Sequence, residues 1–446
     1  MRKLLLIVAG LAIISCANEP KIDYAIVSGK IENPAGKKIM IFNDNFKKEI
    51  SLQDDGTFLD TLKLDSGYFT FDHGRENTKM YIQPGNDVKI TLDTKQFDET
   101  LKYEGAGAGN NNYLAAKFLE SEKNNFQKMY VDEEDAFLKN IGDIKNKALE
   151  ALNNAKEVSA EFAALEKEGI EFEYLANLAR YPSYHPYFAK KPDYKASKDL
   201  LKPLESVDFD NEEDFKNFDA YQQITSQHYL GKFYVDSTKA DAIQMIKGLK
   251  SQNIKNSLSE ELAYAISPSG KDSEMIFNTI KEISDDEKFI EEVSKKYKKL
   301  QNLVAGKESP RFDYENYAGG NTTLADLKGK YVYIDVWATW CGPCLGEIPS
   351  LKKVEKEYHD KNIHFVSISI DTKPAYDKWR DMIKNKELGG IQLMADNAWQ
   401  SKFVTDYAIE GIPRFILIGP DGKIVNADAP RPSNPKLIEL FNELNI

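Results

Sequence analysis

The stretch WATWCGPCLGEIP (Trp337–Pro349) contains two of the three cysteines in this 446-residue chain. Cys341 and Cys344 are three positions apart, a spacing compatible with a disulfide staple, half of a metal site or a redox-active pair. A staple here would close too short a loop to constrain the unfolded chain much. A zinc site needs a second cysteine pair or nearby histidines, and the sequence contains neither a second CxxC nor an HxxxH. Redox chemistry is therefore the favoured interpretation, and no metal site is predicted.

The third cysteine lies near the start of the chain, which begins MRKLLLIVAGLAIISC. Two basic residues, the apolar run Leu4–Ile14 and a small residue describe an export signal, and the run is shorter than the about 20 residues that span a bilayer. A cysteine directly after the small residue resembles a bacterial lipoprotein processing site. We therefore expect a signal peptide over 1–15, acylation of Cys16 and a tether over 16–23. The alternative is an ordinary signal peptide with an incidental cysteine.

Composition describes an ordinary globular protein, with 41% hydrophobic and 29% charged residues. The length predicts roughly two to four domains. The formal net charge of −12 argues against nucleic-acid binding and against electrostatic adhesion to anionic lipid. Attachment to a membrane is therefore expected through the lipid anchor alone.

Two regions separate the signal from the CGPC motif. Residues 24–104 alternate apolar and polar positions between turns such as NPAG and PGND, which predicts an antiparallel β-domain of sandwich type. Residues 110–305 carry apolar residues at helical spacing, which predicts amphipathic helices packed together.

Two segments interrupt these patterns. The glycine- and asparagine-rich stretch Tyr103–Leu114 is interpreted as a flexible turn that ends in an asparagine helix cap. The segment YPSYHPYF (Tyr181–Phe188) contains two prolines and four aromatic residues. It is interpreted as an ordered loop between helices, with its aromatic side chains against the core; a binding cleft is the alternative.

From residue 307 onward, strand-like and helix-like segments alternate as in βαβ folds. The run KYVYIDVWA (Lys330–Ala338) predicts a buried strand directly before the CGPC motif, and a helix follows from Gly342 to about Tyr358. Residues 307–446 are therefore expected to form an α/β domain.

This region resembles the thioredoxin fold in the type, order and spacing of Asp335, Trp337, Trp340, CGPC, Pro349 and Gly411-Ile412-Pro413. Within that superfamily it is similar to the TlpA/ResA-type thiol–disulfide oxidoreductases, on the basis of Glu347–Pro349, Ser367–Asp371 and an extra helix and strand before Ile412. With its upstream regions the chain resembles the long lipoprotein forms found in Bacteroidetes. The expected fold is multidomain, with an antiparallel β-domain (24–104), an α-helical domain (110–305) and a C-terminal α/β thioredoxin fold (307–446).

Catalytic roles are expected for three residues from their own chemistry. Cys341 opens a helix, where unpaired N–H groups and the macrodipole favour thiolate, so we expect it to be the nucleophile. Cys344 lies one turn along the helix and is expected to resolve the mixed disulfide. Asp335 interrupts an apolar strand, where burial raises a carboxyl pKa and suits a proton acceptor for Cys344. A hydrogen-bonded structural aspartate is the alternative.

The resemblance implies roles for four further residues. Glu347 corresponds to a glutamate that takes part in proton handling, although a solvated helix glutamate is the alternative. Pro413 corresponds to the cis-proline that faces the CxxC motif, and Ile412 would offer its backbone to a substrate strand. Trp340 is expected to be a contact surface at the rim of the site.

The sequence thus predicts a lipid-anchored, periplasm-facing oxidoreductase that reduces disulfides in protein substrates by dithiol exchange. No cofactor is expected beyond the Cys341–Cys344 disulfide, so a membrane thiol carrier would have to supply electrons. The alternative is a ligand-binding lipoprotein whose upstream domains capture a partner, with an auxiliary redox domain.

Overall fold

The structure, a computed structural model, describes residues 22–235, 237–268 and 270–446. The predicted signal peptide, Cys16 and most of the tether lie outside the described residues. The chain divides into two compact units, one ending at His228 and one beginning at Tyr229. None of the described helices is both long enough and apolar enough to cross a membrane.

The N-terminal region is built from the strands β1 (Ala25–Glu32), β2 (Lys38–Asn43), β3 (Phe46–Ser51), β4 (Thr57–Leu62), β5 (Gly67–Asp72), β6 (Asn77–Ile82), β7 (Asp87–Asp93) and β8 (Lys102–Ala106). They form two four-stranded sheets, in the orders β4-β1-β7-β8 and β3-β2-β5-β6. Neighbouring strands are antiparallel except for the parallel pair β1 and β7. Inward-facing residues of both sheets, including Val27, Ile41 and Phe71, share one buried core.

Helices form most of the chain between the β region and residue 300. They are α1 (Phe97–Thr100), α2 (Ala108–Ser121), α3 (Phe126–Val131), α4 (Glu134–Asn154), α5 (Ala160–Phe188), α6 (Lys198–Leu201), α7 (Glu212–Asn217), α8 (Asp219–Phe233), α9 (Lys239–Lys247), α10 (Gln252–Ala263), α11 (Ser273–Ile283) and α12 (Glu287–Leu300). A short 3₁₀ segment occupies Lys202–Ser206. Several of the helices are amphipathic, as expected; in α4, for example, Phe137 and Ile141 are buried.

The asparagines of this stretch lie within α2 and do not act as the predicted helix cap. The N-cap of α2 is Gly107, which has a positive φ of 98° and no capping side chain. Asn111 instead binds the backbone of Tyr81, accepting from its N–H at 2.8 Å and donating to its C=O at 2.9 Å. Asn112 makes the same paired contacts with the backbone of Tyr103. These amides therefore join the helix to strand ends, and the expected asparagine cap is wrong.

The segment Tyr181–Phe188 is helical, so the expected interhelical loop is also wrong. Helix α5 continues through Pro182 and Pro186 to Phe188. Packing stabilises it: the Tyr181 hydroxyl donates to the C=O of Asp132 at 2.6 Å, and the buried His185 ring contacts Tyr181 at 4.9 Å. These tertiary contacts outweigh the about 3 kcal/mol by which an interior proline disfavours a helix.

The C-terminal region is built from β9 (Asp313–Asn316), β10 (Asn321–Thr323), β11 (Tyr331–Trp337), β12 (Ile363–Ser369), β13 (Ile391–Met394), β14 (Arg414–Ile418) and β15 (Ile424–Asn426), with helices α13 (Gly342–Glu357), α14 (Tyr376–Lys386), α15 (Lys402–Asp406) and α16 (Lys436–Glu443). Short 3₁₀ segments occupy Leu324–Leu327, Lys373–Ala375 and Ala398–Gln400. The seven strands form one sheet in the order β10-β9-β13-β12-β11-β14-β15. The predicted layout of a β region, a helical middle and an α/β C-terminal region is confirmed.

Strand β11 lies inside this sheet, parallel to β12 and antiparallel to β14. Helix α13 packs onto it through Leu351 and Val354, which share a core with Tyr333 and Phe365. The chain passes from the end of β11 directly into α13, so the CGPC motif lies at the carboxyl edge of an interior strand.

Candidate active site

The two cysteines of the CGPC motif form a disulfide at the start of α13, with a Cα–Cα distance of 5.3 Å. Cys341 is the N-cap residue of the helix, and its sulfur accepts a hydrogen bond from the N–H of Cys344 at 3.1 Å. Both residues are only 4% exposed. A sulfur at this position faces the positive end of the helix macrodipole, which stabilises thiolate once the disulfide is reduced.

A loop before β14 lies against the Cys341 sulfur. The carbonyl oxygen of Ile412 is 3.8 Å from Sγ of Cys341, and the Ile412–Pro413 peptide bond is cis. The structure therefore brings Cys341, Ile412 and Pro413 together at one edge of the sheet.

An aromatic pair lies beside the cysteines. Trp340 is 56% exposed, and its ring centroid is 6.4 Å from that of Trp399. Sequence reasoning placed Trp340 at the rim but missed Trp399. No local signal marks that residue, because the fold alone brings the segment before α15 next to the CGPC turn.

Asp335 lies behind Cys344 on the face of the sheet that α13 covers. It is in register with Ser367 on β12, which is in register with Gln392 on β13. Oδ1 of Asp335 is buried and has no hydrogen-bond partner in the described part of the chain. Burial raises the pKa of Asp335 to about 8, and the negative charges of Glu355 and Glu347 act in the same direction.

Glu355 was not singled out from the sequence. It lines a small cavity together with Asp335 and Cys344, and burial raises its pKa to about 7, an effect that the Lys352 charge opposes. The sequence does contain a sign of this position. At helical spacing, Glu355 falls on the same face of the helix as Cys344, Ile348 and Leu351. A glutamate at such a covered position is unusual unless it has a partner or a function.

Glu347, the glutamate implied by the resemblance, has a different environment. Its carboxylate accepts hydrogen bonds from the N–H of Ser433 at 3.0 Å and from the Ser433 hydroxyl at 2.8 Å. It is not among the residues that line the cavity behind Cys344. Its role in proton handling stays a prediction, and the geometry shows it holding the loop before α16.

A second aspartate, which is buried, supports the other side of the motif. Asp371 is 1% exposed and accepts hydrogen bonds from the N–H of Thr339 at 2.9 Å, the Thr339 hydroxyl at 2.8 Å and the Ser369 hydroxyl at 2.8 Å. Thr339 immediately precedes Trp340, so this network fixes the turn that presents Cys341.

Among the described residues, no group of three or more His, Cys, Asp or Glu side chains is placed to hold a metal ion. The chemistry available at the site is that of two sulfurs, two carboxyl groups in a shared cavity and an aromatic rim.

The chain is similar to a protein family and to several known proteins. A family model described as Redoxin matches residues 304–439. Thiol-disulfide oxidoreductase ResA of Bacillus cereus is 30% identical over 125 residues, which cover 28% of this chain and 69% of ResA. ResA of Bacillus subtilis (strain 168) is 27% identical over 126 residues, covering 28% and 67% respectively. A solved thiol-disulfide oxidoreductase from Bacteroides fragilis NCTC 9343 is 29% identical, covering 31% of this chain and 99% of that one, with a TM-score of 0.29.

A CxxC pair at the start of a helix, opposite a proline loop and at the edge of an α/β sheet, defines a thiol–disulfide oxidoreductase of thioredoxin-like fold. The sequence match to ResA is long enough, and close enough, to go one step further. The chain belongs to the TlpA/ResA-type thiol–disulfide oxidoreductases of the thioredoxin superfamily, as its motifs predicted.

Proposed function

We propose that this oxidoreductase is lipid-anchored, faces the periplasm and reduces disulfides in protein substrates through Cys341 and Cys344. The observation that carries the proposal is the position of Cys341. Its sulfur caps α13, accepts the Cys344 N–H and faces the Ile412 carbonyl and Pro413. A substrate chain laid along that loop would place its own sulfur next to Cys341.

The exchange needs two thiols and transfers two electrons. The Cys341 thiolate attacks a substrate disulfide, which forms a mixed disulfide and releases one substrate thiolate. Cys344 then loses its proton and attacks Cys341, so that the Cys341–Cys344 bond forms and the second substrate thiolate leaves. Each released thiolate takes a proton, and the enzyme ends oxidised. Asp335 is the proposed acceptor of the Cys344 proton.

The proposed direction is reduction, because the Cys-Gly-Pro-Cys motif is that of thioredoxin, whose potential of about −270 mV is reducing. The chain contains no recognisable nicotinamide or flavin motif. Electrons would therefore come from a membrane thiol carrier, and the protein would need no cofactor besides its own disulfide.

The anchor is supported by the sequence MRKLLLIVAGLAIISC alone. Mature protein should begin at an acylated Cys16 and stay with membranes at high salt, because its net negative charge gives no electrostatic attraction to anionic lipid. Mass spectrometry of the purified N-terminus tests this. An unmodified start at Ala17 or later would contradict it.

Trapping tests the redox proposal. A Cys344→Ser variant should accumulate mixed disulfides with cell-envelope proteins, since Cys341 can attack but the intermediate cannot resolve. A Cys341→Ser variant is the matched control and should trap none and lose insulin-type disulfide reduction. Full activity in Cys341→Ser would show that Cys341 is not the nucleophile.

A second candidate function concerns the upstream unit, where one cavity has a volume of ≈ 570 Å³. Ligand sites commonly have about 300–1,000 Å³. Its walls include the aromatic Tyr68 and Tyr174, and a buried Glu166 that accepts from Tyr68 and Lys117 at 2.6 Å each. Arg180 also lines it and donates a hydrogen bond to the amide oxygen of Gln223, which is neutral. This favours an amphipathic ligand with a carboxylate, such as a short peptide.

Thermal unfolding in the presence of short peptides at millimolar concentration tests that candidate. Binding should raise the melting temperature of the upstream unit, and Arg180→Gln should remove the shift. Lys195→Gln, an exposed change outside the cavity, should leave it intact. The absence of any peptide-induced shift would count against this second function.

A further inference from the structure

Three buried polar atoms behind Cys344 have no hydrogen-bond partner in the part of the chain that the structure describes. They are Oδ1 of Asp335, Nε1 of Trp337 and Oε1 of Gln392. All three side chains line the cavity that Cys344 and Glu355 also line. An unsatisfied buried polar atom costs about 1–3 kcal/mol, so three around one cavity indicate a polar occupant.

The size of the cavity identifies that occupant. Its volume is ≈ 10 Å³, close to the about 10–15 Å³ that a single water molecule requires. A buried water also needs about two to four polar partners. The indole N–H of Trp337 as donor, with the oxygens of Asp335 and Gln392 as acceptors, meets this number. The cavity is thus suited to one water between the carboxyl groups of Asp335 and Glu355, which both line it.

Backbone packing holds the Glu355 carboxylate at this cavity. A Cβ atom built on Gly389 would lie 2.7 Å from Oε2 of Glu355, and one on Gly390 would lie 3.0 Å from Oε1. The two glycines therefore leave room that a side chain would fill. Gln392 donates from Nε2 to the C=O of Gly389 at 2.6 Å, which fixes the same turn. The other atom of this amide, Oε1, remains available to accept a hydrogen bond from a cavity water.

The proposed reaction requires a proton exit at this place. The Cys344 thiol must lose a proton as it attacks Cys341, and Asp335 is its proposed acceptor. Oδ1 of Asp335 is buried at the cavity, where no described group gives it a hydrogen bond, so a proton on that oxygen leaves by way of the cavity. Glu355 lines the same cavity and, like Asp335, is half-buried, so its carboxyl group has access to solvent.

We propose that Glu355 relays protons between Asp335 and solvent, through one cavity water, each time the Cys341–Cys344 disulfide forms or opens. The inference rests on the proposed role of Cys344 as the resolving thiol. Glu355 acts through Asp335 and does not touch the reacting sulfurs.

The proton balance of the step is complete within the protein and water. When the disulfide forms, the Cys344 proton moves to the Asp335 carboxylate and the Cys344 sulfur bonds to Cys341. Asp335 then gives a proton to the water, the water gives one to the Glu355 carboxylate, and Glu355 releases it to solvent. The same proton transfers occur in reverse order when a reductant opens the disulfide.

The charged groups around the pair are compatible with this transfer. Burial brings the pKa of Glu355 to about 7 and that of Asp335 to about 8, so a proton moves between them at little cost near neutral pH. On α13, the negative charge of Glu347 raises the pKa of Asp335, and the positive charge of Lys352 lowers the pKa of Glu355. On β11, the Tyr333 hydroxyl is close enough to Asp335 to feel its charge. The other cavity-lining groups on β12 and β13, Ser367 and Gln392, are neutral.

The test measures, in the full-length protein, how the rates of mixed-disulfide formation and mixed-disulfide resolution depend on pH. Reduced protein is mixed with a peptide disulfide, and formation and resolution of the mixed disulfide are followed by quenched flow from pH 5 to 9. Glu355→Gln should slow resolution about tenfold near pH 7, less than removal of the primary acceptor. Formation should be unchanged, and the inflection assigned to Asp335 should move to lower pH because a neighbouring negative charge is lost.

Three further variants separate a relay from a structural effect. Glu357→Gln, on the exposed side of the same helix, should change neither step. Glu355→Asp, which restores a carboxyl group, should recover part of the resolution rate. Asp335→Asn combined with Glu355→Gln should be no slower than Asp335→Asn alone, because both act in one path.

Other results would overturn the relay. An unchanged pH profile in Glu355→Gln, or equal slowing of formation and resolution, would show that Glu355 carries no proton. If Glu355→Gln does not fold, Gly389→Ala gives an independent variant, since it displaces the carboxylate and should slow resolution alone. Should Cys344→Ser trap no mixed disulfide, the dithiol mechanism itself fails, which is a different outcome from failure of the relay.

Discussion

Two aspartates flank the CGPC turn, Asp371 buried and Asp335 half-buried, and their surroundings differ in hydrogen bonding. Asp371 accepts three hydrogen bonds from Thr339 and Ser369, whereas Oδ1 of Asp335 has no partner among the described residues. A satisfied buried carboxylate fixes geometry. An unsatisfied one in a cavity is free to change its protonation, and its pKa is raised accordingly. The difference separates a structural acid from a proposed catalytic one.

The largest expected effect is on stability at alkaline pH. The Asp335 pKa of about 8 in the folded protein exceeds the about 3.9 of an unfolded chain. Folding therefore takes up a proton, and wild-type stability falls as pH rises from about 4 to about 8. Asp335→Asn removes this loss and should be more stable by on the order of 5 kcal/mol above pH 8, with little difference near pH 4.

Tryptophan fluorescence during urea unfolding measures this, because the four tryptophans of the chain, Trp337, Trp340, Trp379 and Trp399, all lie in the C-terminal region. Oxidised protein is used at both pH values so that the cysteines do not titrate. A stability gain that is equal at pH 4.5 and pH 8.5 would mean that Asp335 is not the group responsible.

The next effect is kinetic. Asp335→Asn should slow resolution of the mixed disulfide about 10²-fold, or about 2.7 kcal/mol of barrier, because the Cys344 proton loses its acceptor. Formation of the mixed disulfide by Cys341 should change little. Single-turnover measurements resolve the two steps, and equal slowing of both would remove Asp335 from the acid–base role.

A smaller effect is expected at the satisfied aspartate. Asp371→Asn places an NH₂ group against donors and should destabilise the C-terminal region by about 2 kcal/mol. Both steps of exchange should slow together, since the turn carrying Cys341 loses its support. The same urea experiment tests stability. Selective slowing of resolution in this variant would break the contrast between the two acids.

The smallest effect is expected at the aromatic rim, away from both aspartates. Trp399→Ala should raise KM for a peptide disulfide by about fivefold, equivalent to about 1 kcal/mol of lost aromatic contact, with kcat unchanged. Steady-state reduction of a peptide disulfide measures both constants. A fall in kcat instead would indicate that the Trp340–Trp399 pair also positions the cysteines.

The C-terminal region was largely predictable because its signals are local. A buried-strand run leads into a helix-opening CGPC, and Asp335 is visible as one acid among apolar residues. Glu355 and Trp399 were not found, since what distinguishes them is what the sheet and the loops place beside them. Helical spacing puts Glu355 on the same face of α13 as Cys344, but only the cavity it lines with Asp335 and Gly389 shows what surrounds it.

Upstream, local rules failed where tertiary contacts decide the structure. Proline normally ends a helix, yet α5 continues through Pro182 because Tyr181 and His185 are fixed by neighbouring elements. An asparagine near the start of a helix often caps it, yet Asn111 lies within α2 and its side chain bonds to the backbone of a strand. The predicted boundaries at 24–104, 110–305 and 307–446 stay predictions, and the division of the chain at His228 lies within the helical stretch.

The close approach of Gly389 to Glu355 has a consequence for how related sequences vary. A side chain at position 389 and a long acid at position 355 would compete for the same volume, since a Cβ there would lie 2.7 Å from Oε2. Substitutions at the two positions should therefore be correlated across relatives. Chains with a glutamate at position 355 should keep glycine at position 389, and chains with a shorter or apolar residue at 355 should tolerate alanine or larger there.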